Sequence, residues 1–299
     1  MTTVGYGDFF AVTIWGRLVS YLCMFIGIGA IGYLIGFVVE HILLTISKTR
    51  RGLMKVLDED HLIICNYPGE NKIIEIVQEL NAAPQYKDTA IVLITDELEE
   101  LPEELKQLKI RYVRGVPTNE DVLFKANILH CKGVIILGDQ ANPQVSDERS
   151  FAVGTIIELI EREHQKPIKT IVEVISRKNL KLMRRSNIDG LTLNDGITSR
   201  ILVQEFLYPG IHDIIQQLLS NFEGSELYIF PTKLVGRKVI DIQTEILKHP
   251  ANIQVIGIVK KGAKYLNPPK TMEIETDDQL ILLAENFTDF NPSSGNPWK

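Results

Sequence analysis

Hydrophobic positions divide the chain into one long apolar segment and a longer part in which apolar and polar positions alternate. Residues 15–44 are almost all apolar, with Arg17 near one end and Glu40 and His41 near the other. A helix needs about 20 apolar residues to cross the hydrocarbon core of a bilayer. The pattern therefore predicts a transmembrane helix, which we place at residues 11–46. A buried helix of a soluble protein is the alternative.

Basic residues follow the apolar segment and indicate its orientation. Lys48, Arg50, Arg51 and Lys55 lie within the stretch 47–60, which we interpret as a linker. Loops rich in lysine and arginine stay on the cytoplasmic side of a membrane. We therefore expect a single pass through the cell membrane, with the part of the chain that follows the helix in the cytoplasm.

Short apolar strands then alternate with amphipathic helices, which is typical of a parallel, doubly wound sheet. The strands are expected at 61–66, 90–95, 110–114, 133–138 and 170–175. The predicted fold class is therefore a membrane helix plus α/β, with a Rossmann-like domain at residues 61–195.

The pattern changes again after residue 195. Two helical stretches are separated by Pro209 and Gly210, which together end a helix, and we interpret 196–224 as a helical crossover. Strands with one helix among them predict a small α+β domain at 225–287. The tail at 288–299 is polar, contains proline and glycine, and is expected to be disordered.

Composition narrows the classes of function. The formal net charge is −6, so no basic field favours nucleic acid. The three cysteines and six histidines are scattered, which gives neither a metal-binding spacing nor a nucleophile with a neighbouring base. We therefore expect neither nucleic-acid binding nor enzymatic activity.

A glycine-containing run stands just before the apolar segment and consists of Thr3, Val4, Gly5, Tyr6 and Gly7. The same run lines potassium-channel selectivity filters, where backbone carbonyls from four loops replace the hydration shell of K⁺. The two glycines let successive carbonyls turn toward one axis. We therefore predict a K⁺ filter at these positions. A chance match in a glycine-rich turn is the alternative.

The order of filter, apolar helix, basic linker and α/β domain resembles the prokaryotic two-transmembrane potassium channels with a cytoplasmic RCK domain (regulator of K⁺ conductance). The resemblance covers about residues 2–287. It implies that the small domain is the RCK C-terminal domain and that K⁺ is the permeant ion. It also implies a homotetrameric pore in the lipid bilayer, RCK domains that pair through the crossover, and gating by a small-molecule or ion ligand.

The resemblance also implies segments beyond the printed sequence. Family members have an outer helix and a pore helix before the filter, whereas this chain begins at Met1 within the filter motif. We therefore expect the reading frame to continue upstream of Met1. Gating rings of the family contain twice as many RCK domains as pore subunits. The additional domains would be soluble copies starting at Met54 or a second domain outside the printed sequence.

Glycines interrupt the apolar segment at positions 27, 29, 32 and 36. Glycine is common in membrane helices, where small residues let helices pack closely. In the family, a hinge glycine of the inner helix lies in a similar place. The resemblance therefore implies a gating hinge at Gly27 or Gly29, and close helix packing is the alternative.

A nucleotide is one expected ligand of the Rossmann-like domain. The first strand of a dinucleotide-binding domain is followed by glycines at the first, third and sixth positions, where this chain has Asn66, Pro68 and Asn71. The phosphate cradle is therefore degraded, although a helix still begins there and favours an anion. We expect an adenine nucleotide (NAD, ADP or ATP) to bind weakly, or no nucleotide. The expected contacts are Asn66 and Tyr67 after the first strand, Asp96 on the ribose, and Asp139 after the fourth strand.

Calcium is the other ligand that the resemblance implies, and it needs several oxygen ligands at one site. Glu173 resembles one carboxylate position of the family, but the residue two positions later, where a partner is expected, is Ile175. Calcium is therefore the less favoured ligand. Two rival functions remain. One is a nucleotide-sensing regulatory subunit of a K⁺ transport system with no pore of its own. The other is a nicotinamide-dependent oxidoreductase with a membrane anchor, against which the missing glycines argue.

Overall fold

The computed structural model describes residues 10–186, 188–193, 196–222 and 224–285. The predicted filter at residues 3–7 and the predicted tail at 288–299 lie outside the described residues. The described part contains a long N-terminal helix, a six-stranded parallel sheet with helices, a helical hairpin and a four-stranded antiparallel sheet. This arrangement confirms the predicted fold class.

Helix α1 (Ile14–Arg50) has 37 residues and is about 55 Å long at the rise of an α-helix. Thr13 caps its first turn, because the Thr13 hydroxyl oxygen accepts a hydrogen bond from the amide of Gly16 at 3.2 Å. An 18-residue window has a mean hydropathy of 2.4, and only 6 % of that window is buried. The helix is therefore long and apolar enough to cross a membrane, and its exposed surface argues against the core helix of a soluble domain.

The parallel sheet consists of β1 (His61–Cys65), β2 (Ile91–Thr95), β3 (Arg111–Arg114), β4 (Cys131–Ile136), β5 (Thr170–Val174) and β6 (Gly190–Leu193). Their order is β3-β2-β1-β4-β5-β6, that of a doubly wound sheet whose two halves meet between β1 and β4. The sequence pattern does not predict β6, because its four residues include Gly190 and Thr192 and carry no continuous apolar run.

The helices of this domain are α2 (Glu70–Ala82), α3 (Glu103–Gln107), α4 (Glu120–Lys125), α5 (Pro143–His164) and α6 (Leu180–Met183). Every residue of β1 and β2 is buried. Successive strand residues point to opposite faces, so Ile63 joins an apolar cluster with α5, whereas Leu62 and Leu93 join a cluster with α2. The core of the domain therefore has two layers, one on each face of the sheet.

Two helices, α7 (Ile197–Leu207) and α8 (Ile211–Leu219), form a hairpin after the sheet domain. The carboxylate of Glu205 accepts hydrogen bonds from the amides of Gly210 and His212, both at 2.8 Å. These bonds hold the pKa of Glu205 below its usual range. Glu205 thus fixes the turn at the start of α8, although neither helix has a buried residue.

The small C-terminal domain consists of β7 (Glu226–Pro231), α9 (Val239–Ile246), β8 (Ile253–Lys260), β9 (Ala263–Leu266) and β10 (Gln279–Ala284). The strands are antiparallel and lie in the order β7-β10-β8-β9. Helix α9 covers one face, where its residues Ile242 and Ile246 join an apolar cluster with Ile258 and Leu280. This is the α+β domain that the sequence predicts.

The segment between α1 and β1 is docked on the sheet domain. Gly52 has a φ of +65°, and its carbonyl accepts hydrogen bonds from the amide of Arg114 and the ammonium of Lys125, both at 2.9 Å. A Cβ on Gly52 would lie 2.4 Å from the amide nitrogen of Arg114, so only glycine fits there. The amide of Leu101 also donates to the carbonyl of Arg50 at 3.3 Å. Helix α1 therefore includes the first residues of the predicted linker. Hydrogen bonds hold the rest of the linker against the sheet domain.

Candidate functional site

The candidate site is the crevice at the carboxyl ends of β1 and β4. In open α/β sheets, ligands bind where the strand order reverses, outside the carboxyl ends of the strands. Here the reversal lies between β1 and β4. The predicted nucleotide residues Asn66, Asp96 and Asp139 follow β1, β2 and β4, so the topology places all three at the same edge of the sheet.

Asn66 bridges the two strands that flank the crevice. It has a φ of +73° and is buried, with an exposed fraction of 7 %. Its side-chain amide donates to the carbonyl of Leu137 at 2.9 Å, and its Oδ1 has no hydrogen-bond partner among the described residues. Asn66 therefore ties β1 to the end of β4 and keeps one acceptor unused at the floor of the crevice.

Lys72 and Glu173 form an ion pair across the crevice, which no sequence pattern indicates. Lys72 lies in the first turn of α2, and its Nζ is 2.5 and 2.7 Å from the two carboxylate oxygens of Glu173. Glu173 also accepts a hydrogen bond from the amide of Gly138 at 2.9 Å. The ammonium of Lys72 thus lies near the N-terminus of α2, which is the kind of position where a phosphate binds in other proteins.

Arg149 engages the carboxylate that is predicted to bind a ribose. This residue of α5 forms ion pairs with Asp96 and with Glu97, the latter at 3.3 Å. Burial raises the pKa of Glu97, although Arg149 lowers it in part. The Nε of Arg149 is buried and has no hydrogen-bond partner among the described residues. A ligand that binds the carboxylate of Asp96 would therefore bind beside Arg149 or displace Arg149 from that carboxylate.

Tyr67 and Asp139 have less direct evidence for a role in binding. Tyr67 is half-buried, and burial, followed by the nearby charges of Glu70 and Glu97, raises the pKa of its hydroxyl. Asp139 is exposed, and its carboxylate accepts a hydrogen bond from the amide of Ala141 at 2.9 Å. This bond organises a local turn after β4, which accounts for Asp139 without a ligand.

The geometry adds nothing to the calcium hypothesis. Within the part of the chain that the structure describes, no group of three or more His, Cys, Asp or Glu side chains could hold a metal ion. The carboxylate of Glu173 already forms an ion pair with the ammonium of Lys72. The buried carboxylate of Asp147 accepts hydrogen bonds from the amides of Ile175 and Ser176 at 2.8 and 2.9 Å, so it fixes the end of β5.

The loop between β2 and α3 connects the crevice to the end of the membrane helix. Asp96 and Glu97 at its start pair with Arg149, as described above. Near its end, a carboxylate oxygen of Glu100 lies 3.8 Å from a guanidinium nitrogen of Arg50. Between them, the carbonyl of Leu98 accepts a hydrogen bond from the hydroxyl of Tyr112 at 2.6 Å. One short loop therefore contacts both the candidate ligand site and α1.

The predicted hinge glycines lie within an unbroken helix. Helix α1 runs through both Gly27 and Gly29 without interruption. Gly27 is buried, whereas a Cβ on Gly29 would meet no atom within 4 Å. The hinge and the packing role both stay predictions.

Three family models match consecutive parts of the chain. A model described as "Ion channel" matches residues 1–43, which include the predicted filter and most of α1. A model of the "Calcium-activated potassium channel slowpoke-like RCK domain" matches residues 57–172 in the sheet domain. A third, "Castor and Pollux, part of voltage-gated ion channel", matches residues 195–296.

Individual relatives resemble nearly the whole chain. It is 27 % identical over 289 residues to the calcium-gated potassium channel TvoK of Thermoplasma volcanium, a match that covers 96 % of this chain and 79 % of the relative. It is 26 % identical over 295 residues to potassium channel protein 1 of Methanocaldococcus jannaschii, with coverage of 95 % and 82 %.

A solved structure with a similar fold is the human SLO3 gating ring, with a TM-score of 0.58 and 12 % identity over 77 % of this chain. The chain spans 45 % of that structure's chain. At this identity the likeness shows the fold alone.

Proposed function

Since the chain belongs to the prokaryotic potassium channels with an RCK domain, we propose that it is a subunit of a K⁺-selective pore that a cytoplasmic ligand gates. The observation that carries the proposal is the continuity of the chain. The filter sequence at residues 3–7 is joined to α1 by the short segment 8–13, and the end of α1 is hydrogen-bonded to the sheet domain through Arg50 and Gly52.

In this proposal the pore has two parts. The carbonyls of Thr3 to Gly7 select K⁺ in a ring of four chains. Helix α1 lines the path below the filter, with its C-terminal end in the cytoplasm. A bend at Gly27 or Gly29 opens and closes that path.

The hairpin of α7 and α8 is the proposed contact between paired RCK domains. Both helices expose large apolar side chains, and large exposed apolar patches mark interaction sites. The exposed residues are Leu202, Val203, Phe206, Leu207, Ile214 and Leu219. A second copy of the same surface would remove these side chains from water.

The proposed ligand of the crevice is an adenine nucleotide. Asp96 is placed to accept a ribose hydroxyl, and Lys72 and Arg149 supply two cations for phosphates once a ligand has displaced Glu173 and Asp96 from them. Ligand binding would therefore break contacts at the start of the loop that reaches Arg50. A ligand shifts an equilibrium only through such a difference in contacts between two states.

A flux measurement tests both parts of the proposal. The product of the whole reading frame is reconstituted into vesicles loaded with either K⁺ or Na⁺, and the efflux of the two ions is compared with and without NAD, ADP, ATP and Ca²⁺. We expect K⁺ efflux to exceed Na⁺ efflux, Gly5→Ala to remove that difference, and an adenine nucleotide to change the rate. Asp96→Ala should raise the half-effective nucleotide concentration about tenfold, as expected for the loss of a charge-assisted hydrogen bond.

Glu163→Ala is the matched control, because Glu163 is an exposed carboxylate on α5 with no ion pair in the described residues. Absence of K⁺-selective efflux would contradict the pore. K⁺ efflux that responds to Ca²⁺ and to none of the nucleotides would contradict only the ligand.

A further inference from the structure

A cavity of about 980 Å³ lies between the last turns of α1 and the flank of the sheet domain. Thr45, Ile46, Thr49 and Arg50 of α1 form one wall. The opposite wall is formed by the segment before β2, by α3 and by the start of β3. None of the candidate nucleotide residues lines this cavity, so it is separate from the crevice.

Cationic side chains dominate the charge of the cavity wall. Its lining contains five cationic residues and one acidic residue: Arg50, Lys87, Lys106, Lys109, Arg111 and Asp88. This local excess contrasts with the net charge of −6 for the whole chain. The cavity therefore attracts an anion although the protein as a whole does not.

Two of these cations are available to a ligand. Arg50 and Lys106 both pair with Glu100, Lys106 also pairs with Glu103, and Arg111 pairs with Asp58 at 3.4 Å. Lys87 and Lys109 are exposed and form no ion pair among the described residues. These two ammonium groups are the expected contacts of a bound anion.

Apolar side chains also line the cavity. Ile46 on α1 is partly exposed, and it faces the same cavity as Leu108 and Ile110. A fully hydrated inorganic anion would gain nothing from this surface. A molecule that carries a phosphate on an apolar body would use both kinds of wall.

The position of the cavity relative to a membrane points to the source of that molecule. As a helix, the apolar run of residues 15–44 is about 45 Å long, which matches the thickness of about 40–45 Å for a bilayer with its headgroups. Thr45 therefore lies where the headgroup layer meets the cytoplasm, and the cavity opens within reach of lipid phosphates.

We propose that this cavity binds the phosphate headgroup of an anionic membrane lipid, with Lys87 and Lys109 on the phosphate and Ile46 and Leu108 against the glycerol and the first methylenes. The inference rests on the membrane orientation in the proposed function. Because α1 and the sheet domain form opposite walls, the bound lipid would hold the end of the pore helix against the RCK domain.

The test uses the full chain in a neutral detergent, and thermal stability is followed as phosphatidylglycerol or phosphatidylcholine is added. A ligand that binds the folded state raises its apparent stability with concentration. We expect phosphatidylglycerol to stabilise the chain more than phosphatidylcholine. The double variant Lys87→Gln/Lys109→Gln should weaken the apparent affinity for phosphatidylglycerol about 25-fold, since one lysine near an anionic lipid surface contributes about fivefold.

The matched control is Lys248→Gln/Lys264→Gln, which removes two exposed charges from the small C-terminal domain and should leave the affinity unchanged. Equal phosphatidylglycerol affinity in the wild type and the cavity variant would overturn the proposal. Equal stabilisation by soluble glycerol phosphate would also overturn it, because the site would then take a free phosphate. The assay measures no ion flux, so a chain that binds the lipid and does not conduct would contradict the proposed function alone.

Discussion

The sheet domain and the helical hairpin use apolar residues in opposite ways. In the sheet domain every residue of β1 and β2 is buried, and two apolar clusters fill the faces of the sheet. In the hairpin neither α7 nor α8 buries a residue, although both are rich in leucine and isoleucine. The sheet domain is therefore stabilised within one chain, whereas the hairpin leaves its apolar side chains exposed, which is why we propose that it packs against a second copy.

The hairpin still has a defined shape without a core of its own. In α8, Ile211, Ile214, Ile215 and Leu218 recur at helical spacing and form one apolar stripe. Glu205 fixes the turn through hydrogen bonds to two backbone amides. These hydrogen bonds fix the conformation of the hairpin in the free chain, and such preorganisation lowers the entropic cost of association.

The largest expected effect comes from a cavity in the sheet core. Leu93 on β2 is fully buried, and Leu93→Ala should lower the free energy of unfolding by about 3 kcal/mol, because it removes apolar contacts and leaves a void. Urea titration of a fragment spanning residues 54–285 would measure this loss. A loss below about 1 kcal/mol would show that the domain is less tightly packed than the structure indicates.

A smaller effect, which depends on pH, is expected at His61. Its ring is fully buried at the start of β1, its Nε2 lies 2.9 Å from the carbonyl of Ala126, and its Nδ1 has no partner among the described residues. Burial lowers the pKa of His61 from 6.5, although the Ala126 carbonyl and the charge of Asp58 raise it in part. The folded state therefore holds this ring neutral at a pH where the unfolded chain is protonated.

Stability rises with pH wherever the unfolded state binds more protons than the folded state. The free energy of unfolding of fragment 54–285 should thus decrease between pH 7.5 and 5.5 because of this residue, by at most about 1.4 kcal/mol per pH unit. His61→Gln should remove that part of the decrease, whereas His212→Gln in the exposed start of α8 should retain it. Parallel pH curves for the wild type and His61→Gln would contradict a buried neutral ring.

The smallest effect on folding is expected in the hairpin. Phe206 on α7 is 87 % exposed, so Phe206→Ala should change the free energy of unfolding of the monomeric fragment by less than about 0.5 kcal/mol. The same substitution should weaken self-association at least tenfold in sedimentation experiments, as expected for an aromatic residue at the centre of an interface. Leu247→Ala is the control, because Leu247 is 77 % exposed outside the hairpin. Equal self-association of the two variants would place the interface elsewhere.

Local patterns were sufficient to predict most of the fold. Some signals act over only a few residues, so the elements they specify can be predicted from the sequence. Examples are the apolar runs of β1, β2 and β4 and the break between helices at Pro209 and Gly210. The end of α1 was predicted less accurately, at residue 46. The residues after Leu44 contain no helix breaker before Gly52, so the helix continues to Arg50. β6 is too short to give a pattern.

The candidate site was predicted less completely, because its contacts join distant positions. Asp96 and Asp139 could be placed from the doubly wound topology, which brings the carboxyl ends of strands together. The ion pairs of the site could not be foreseen. Lys72 and Glu173 are 101 positions apart, and Arg149 lies 53 positions from Asp96. No spacing rule connects such pairs before the chain is folded.

The docked turn at Gly52 makes α1 a lever. The residues from Gly29 to Gly52 span about 35 Å of helix and turn. Because the turn is anchored to Arg114 and Lys125, a rotation of the sheet domain by about 5° would swing the far end of this arm sideways by about 3 Å. A displacement of that size is comparable to the radius of an ion path. If the proposed ligand rotates the sheet domain by this small angle, the motion is enlarged at the level of the predicted hinge glycines.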